Sequence, residues 1–154
     1  MTLMTPIPAP AKPHGYYFED IVVGLTATRS NLVTEQMLVA FADVSGDRNP
    51  VHLDDGYAAT TVFKERIAHG ILSAAFISAV NGMDLPGPGG IYLSQTLNFK
   101  APVRIGDTVI TCVTVVELLS KRRVRLSTVC SVGSKIVVDG EAIMMAPRRP
   151  QRLG

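Results

Sequence analysis

The stretch His69-Gly70-Ile71-Leu72-Ser73-Ala74-Ala75-Phe76-Ile77-Ser78-Ala79-Val80-Asn81 is apolar nearly all round and rich in small side chains. A helix of that composition has no polar face to turn toward water, so it is expected to be buried on every side. The run Asp84-Leu85-Pro86-Gly87-Pro88-Gly89-Gly90 then stops it as a long turn. Past that turn the chain changes period. Residues 91–99, 107–118, 123–132 and 136–145 each read as strands, with turn signals at 102–106, 120–122 and 133–134. Val109, Thr111, Val113 and Val115 alternate with their neighbours as one face of a strand does, and Val124, Leu126 and Thr128 repeat the pattern. Strands joined by such short turns imply an antiparallel meander. One all-apolar helix and one meander make an α+β domain in which a sheet curls round a long central helix.

Upstream of that helix, residues 1–15 hold four prolines and no periodicity, and are expected to form a flexible leader in which His14 is incidental. Residues 16–24 make a short extended start and residues 26–33 a strand. Thr34 is a good N-cap, and Met37, Leu38, Phe41 and Val44 recur at helical spacing after it. That helix runs straight into Val44-Ser45-Gly46-Asp47-Arg48-Asn49-Pro50-Val51-His52-Leu53. Gly46 permits a positive φ, while Pro50 fixes its own φ and pushes Asn49 out of the helical region, so regular structure is not expected here. Asp47 and Asn49 can bond to nearby backbone groups and pin a tight turn. One rigid loop thereby carries a carboxylate, an amide and an imidazole, which is the material of a site. The plainer alternative is that Ser-Gly-Asp and Asn-Pro are ordinary turn dipeptides and that His52 serves only a backbone carbonyl.

Residues 54–62 follow as a short helix begun by Asp54 or Asp55, and Lys64, Glu65 and Arg66 as solvated charges within reach of a phosphate. At the start of the apolar helix, His69-Gly70 matters because the first helical turn leaves backbone N–H groups unsatisfied. Aimed at a carbonyl, they would stabilise a developing oxyanion. The competing role for Gly70 is close packing alone, and Ser73 and Ser78 can each bond back to their own helix.

The 154 residues suffice for one domain with a proper core. With 47% hydrophobic and 18% charged residues, disorder is excluded and a compact, associating protein favoured. A net charge of +2, with no long basic stripe, gives no mandate for nucleic acid. Cys112 and Cys130 lie inside apolar alternating runs as small filler, without the spacing of a metal site. No apolar run reaches membrane-spanning length and the N-terminus lacks the order of a signal peptide, so the expected location is the cytoplasm. Lys121, Arg122 and Arg123 sit at a hairpin end, where an acidic cofactor could use them, and Arg148, Arg149 and Arg152 make a solvated basic tail.

Ser45-Gly46-Asp47-Arg48-Asn49-Pro50-Val51-His52, then Tyr57-Ala58-Ala59, Ile67-Ala68-His69-Gly70-Ile71-Leu72, Gly90-Ile91-Tyr92-Leu93 and Leu97-Asn98-Phe99-Lys100-Ala101-Pro102-Val103 through Gly106-Asp107, together resemble the MaoC-like, (R)-specific enoyl-CoA hydratases, also called hydratase 2. The likeness covers nearly everything from residue 17 to residue 145. It implies a single hot-dog domain over residues 16–147, flanked by the leader and by a tail of residues 148–154, and a homodimer. It implies hydration of trans-2-enoyl-CoA to the (R)-3-hydroxyacyl-CoA, with no metal and no other cofactor. Asp47 and His52 fall on the catalytic dyad, Asn49 on a polar position beside it, Gly70 on the backbone oxyanion donor, and Ser78 on a helix serine near the substrate.

The chemistry agrees with those roles. Water is a poor nucleophile and needs a base, and the α-carbon then needs a proton. An Asp and a His on one face of the alkene can share one water and perform both transfers. Which of them takes the water proton stays open. The partner expected is an acyl-CoA thioester; the competing readings are a dehydratase acting on acyl carrier protein and a non-catalytic module that binds acyl groups. A second copy of the chain is expected because a single curled sheet leaves apolar surface and an open edge.

Overall fold

The computed structural model describes residues 14–153. In chain order it contains β1 (Thr26–Leu32), α1 (Glu35–Ser45), α2 (Pro50–Leu53), α3 (Asp55–Ala59), α4 (Gly70–Met83), β2 (Ile91–Gln95), β3 (Asn98–Phe99), β4 (Thr108–Leu118), β5 (Arg123–Val132) and β6 (Lys135–Met145). The strands form one antiparallel sheet in the order β1-β4-β5-β6-β2, with β3 also on β6. The expected meander is β4-β5-β6. The strand expected over residues 91–99 is instead two pieces on β6, and the pairing of the first slips at a bulge between Tyr92 and Ser94.

Packing follows the alternation in the sequence. Val109, Thr111, Val113 and Val115 of β4 and Val124, Leu126, Thr128 and Cys130 of β5 are all buried. The helix α4 supplies the other side of the core. Leu72, Phe76 and Ile77 pack with Leu38, Val109, Val137 and Val138, while Val80 packs with Val113, Val124, Leu126 and Met144. This is the hot-dog arrangement, a sheet around one central helix.

The helix is not buried all round, however. Gly70, Ile71, Ala75, Ser78 and Gly82 form an exposed stripe along it, because one sheet covers only one side of a helix. At the sheet's end, β2 has an open outer edge and exposes Ile91, Tyr92 and Leu93.

Gly15, Tyr16 and Arg149 tie the flanks of the sheet to the domain. Residues 1–13 of the expected leader lie outside the described residues, but Gly15 N–H donates to the Pro88 carbonyl at 2.9 Å and Tyr16 N–H to that of Pro86 at 2.7 Å. In the basic tail, Arg149 pairs with Asp20, lies over the Tyr17 ring and donates its backbone N–H to Glu19. Cys112 and Cys130 are free thiols, half-buried and buried respectively. Among the described residues no helix is long and apolar enough to cross a membrane.

Candidate active site

The segment between α1 and α4 is built by side chains that cap and turn the backbone. Thr34 Oγ accepts the Met37 N–H to start α1, and Gly46, at φ 78°, ends it in the left-handed region with its N–H on the Ala42 carbonyl. Ser45 Oγ then accepts the Asp47 N–H at 3.1 Å, Asp47 Oδ1 the Asn49 N–H at 3.1 Å, and Asn49 Oδ1 the Val51 N–H at 3.1 Å. The turn expected from Asp47 and Asn49 is therefore made. Regular structure resumes sooner than expected, though. Pro50 opens the one-turn helix α2, because its missing N–H and fixed φ suit a first helical position and Asn49 caps it. That short helix carries His52.

His52 is buried at 8% exposure, and its Nδ1–H donates to the Ile67 carbonyl at 2.7 Å. The carbonyl can only accept, which leaves the lone pair of the ring at Nε2. Burial, first of all, holds the His52 pKa below the ordinary histidine value; the bond to Ile67 opposes this, the neighbouring His69 adds to it, and Asp47 opposes it. Asp47 is exposed, with its carboxylate beside both rings. One ligand-type atom each from Asp47, His52 and His69 lie within 4.8 Å of one another.

His69 is the residue that sequence reasoning passed over. Its place at the start of the apolar helix gives its imidazole no evident task in the sequence. In the structure it is the N-cap residue of α4, 3% exposed, and its Nε2–H donates to the Asp47 backbone carbonyl at 2.9 Å. Its ring stacks on His52 with centroids 3.8 Å apart and planes 29° apart, and meets Phe41 at 4.8 Å. The three residues are not arranged as a chelate. An imidazole binds a metal in its ring plane, and two rings stacked face to face do not point their lone pairs at one ion.

Next to this cluster opens a cavity of about 530 Å³, a size suited to a small molecule. Its wall is mostly apolar, with Phe63, Ile71, Phe99, Val103 and Val138, and it includes His69, Gly70 and Ser73. Phe99 lies so close over Gly70 that a Cβ there would stand 2.8 Å from the ring. Gly70 is the first residue of α4, so its N–H belongs to the turn that has no intrahelical acceptor. Asp47, His52 and Gly70 are thus brought together around His69. Asn49 stands at the cap of α2, and Ser78 lies two turns further along α4 on its exposed stripe, away from the cavity wall.

The charged runs have structural partners. Arg66 is largely buried and donates to Asp55 at 2.8 Å and Glu35 at 2.9 Å, and Glu65 pairs with Arg104; Lys64 and Glu65 are exposed as expected, whereas Arg66 is not. Lys121 and Arg122 turn the β4–β5 hairpin with φ of 57° each, and Arg122 donates to the Ala146 carbonyl at 3.0 Å. Arg123 pairs with Met145, seven residues along β6 from Val138 in the cavity wall, or about 23 Å of strand.

Comparison with known proteins agrees with this architecture. The family model described as MaoC like domain matches residues 23–140. The chain is 53% identical over 135 residues to an (R)-specific enoyl-CoA hydratase of Rhodospirillum rubrum, covering 87% of this chain and 94% of that one. It is 52% identical over 136 residues to a 3-hydroxybutyryl-CoA dehydratase of Methylorubrum extorquens, covering 88% and 87%. An R-hydratase from Pseudomonas aeruginosa, solved in its unliganded form, superposes with a TM-score of 0.85 at 48% identity, over 91% of this chain and 97% of that one.

Proposed function

This chain belongs to the family of MaoC-like dehydratase domains and is a hydro-lyase; from that premise we propose that it adds water reversibly across the double bond of a trans-2-enoyl-CoA, giving the (R)-3-hydroxyacyl-CoA. The observation that carries this reading is the pairing of Asp47 with His52 at the N-terminus of α4, beside an apolar cavity. The lone pair of His52 Nε2 and the carboxylate of Asp47 are two proton acceptors on one side of the site. As the substrate water forms its C–O bond at C3, one of the pair takes the water proton, and the pair returns a proton to C2. In between, the thioester oxygen carries enolate charge, which the Gly70 N–H at the positive end of α4 stabilises. Burial lowers the His52 pKa, which favours the base form of its imidazole.

The acyl group occupies the cavity beneath Phe99 and Ile71, and the working unit is a homodimer that covers the open edge of β2 and its exposed Ile91 and Leu93. A non-catalytic acyl-binding module would have no use for a paired carboxylate and imidazole. The test is hydration of crotonyl-CoA by the purified protein, followed as loss of the conjugated enoyl absorbance with the product's configuration determined. Rapid formation of the (R)-alcohol is expected. No turnover of crotonyl-CoA or octenoyl-CoA, with turnover of the same acyl group on a carrier protein, would transfer the assignment to a carrier-protein dehydratase.

A further inference from the structure

We propose that His69 is the positioning residue of the Asp47–His52 pair: its Nε2–H fixes the Asp47 backbone, and its ring face sets the plane of His52. The inference rests on the dyad reading above and goes beyond it, because the imidazole of His69 has no part in the proton transfers.

The loop that carries Asp47 is held mostly by itself. The hydrogen bonds within it, donated by the N–H groups of Asp47, Asn49 and Val51 to the side chains of Ser45, Asp47 and Asn49 in turn, fix its shape but not its place. Arg48 pairs with Asp43 on the helix just before it, which is equally local. Among the described residues, the bond from His69 Nε2–H to the Asp47 carbonyl is the single hydrogen bond or ion pair that joins residues 46–49 to a distant part of the chain. An exposed carboxylate on such a loop needs that tether to meet its partner.

The same side chain meets the partner. His52 is fixed at one edge by the Ile67 carbonyl, and its face is set by stacking on His69 at 3.8 Å. The backbone of His69, meanwhile, leads directly into the Gly70 N–H at the head of α4. One residue therefore touches the carboxylate's backbone, the imidazole's face and the oxyanion donor. Phe41 backs it, and with 3% exposure its ring has little room to swing.

Two substitutions separate the two contacts. His69→Phe keeps an aromatic face for His52 but removes the donor to Asp47; His69→Gln keeps an amide N–H at a similar reach but removes the ring. Misplacing a catalytic group by about 1 Å costs on the order of 10²-fold in rate, so His69→Phe is expected to lose roughly that much kcat, with KM within about threefold of the parent. His69→Gln is expected to recover to within about 10-fold of the parent kcat. A His69→Phe enzyme with parental kcat would overturn the proposal, as would equal losses in both variants that track only their thermal midpoints.

A measurement on the unmodified protein decides the matter if either variant fails to fold. Long-range proton–nitrogen NMR should report Nε2–H for His69 and Nδ1–H for His52; a hydrogen on His69 Nδ1 with none on Nε2 contradicts the tether. Because that experiment needs no substrate, failure of the tether is distinguishable from failure of the hydratase reading, which would appear as an inert parent protein with the expected tautomers.

Discussion

Ile77, Val113 and Leu126 are fully buried among apolar neighbours, whereas between residues 46 and 69 side chain after side chain is tied to backbone: Asp47, Asn49, His52, Asp54 and His69 each hold an N–H or a carbonyl. The helix-and-sheet half is held by area removed from water, which is non-directional and tolerates small adjustments. The segment over α2 and α3 is held by directional bonds, and these fix atoms rather than volumes. On the proposed function, stability resides mainly in the first region and chemistry in the second. Substitutions in the two regions should therefore separate the loss of folding from the loss of rate.

The largest effect is expected in the second region. Asp47→Asn and His52→Ala should each lower kcat by roughly 10²–10⁴-fold, the usual contribution of a positioned acid or base, with thermal midpoints close to the parent. Steady-state kinetics beside a melting curve checks both halves of that statement. Ile77→Ala is the converse: it should cost about 2–5 kcal/mol of stability, read by denaturant unfolding, while activity per folded molecule stays within about twofold.

Next comes the acid limb of the pH–rate profile. In the pair proposed above, protonating His52 removes one of the two proton acceptors, so rate is expected to fall as pH falls through its pKa. Burial lowers that pKa, so the midpoint of the limb in kcat/KM should lie below the unperturbed value of about 6.5. A midpoint above that value would place the controlling group elsewhere. Asn49→Ala removes the cap of α2 and should cost on the order of 1 kcal/mol, with a several-fold fall in kcat that Asn49→Asp restores, since aspartate caps equally well. Ser78→Ala should be mildest. Its place on the exposed stripe of α4 predicts less than about a threefold change in kcat/KM, of the size seen for a single weak contact.

The same contrast explains what could be read from the chain. Alternation of Val109, Thr111, Val113 and Val115, and the apolar run from Ile71 to Val80, report burial directly, because burial is what periodicity encodes. The exposed stripe of Ile71, Ala75 and Ser78 was not legible, since a residue covered by a sheet and one left for another surface look alike in a run of small apolar side chains. Asp47, Asn49 and His52 announced themselves through Gly46 and Pro50. The one-turn helix that carries His52 did not, because a proline read as a breaker also serves as a first helical residue. His69 was hidden for a different reason. Its partners, Asp47 and His52, lie 22 and 17 positions away, and no local period links them. A signal was present all the same: an imidazole at the head of an otherwise apolar helix must find a polar partner once it is buried.

The most direct test of the central claim, that Asp47 and His52 act together from one side of the alkene, is hydration of crotonyl-CoA in deuterium oxide. Syn addition is expected: the (R)-3-hydroxybutyryl-CoA formed carries deuterium at C2 on the face that receives the hydroxyl at C3, as read from proton coupling constants. Anti addition, or deuterium scrambled over both faces of C2, would contradict it.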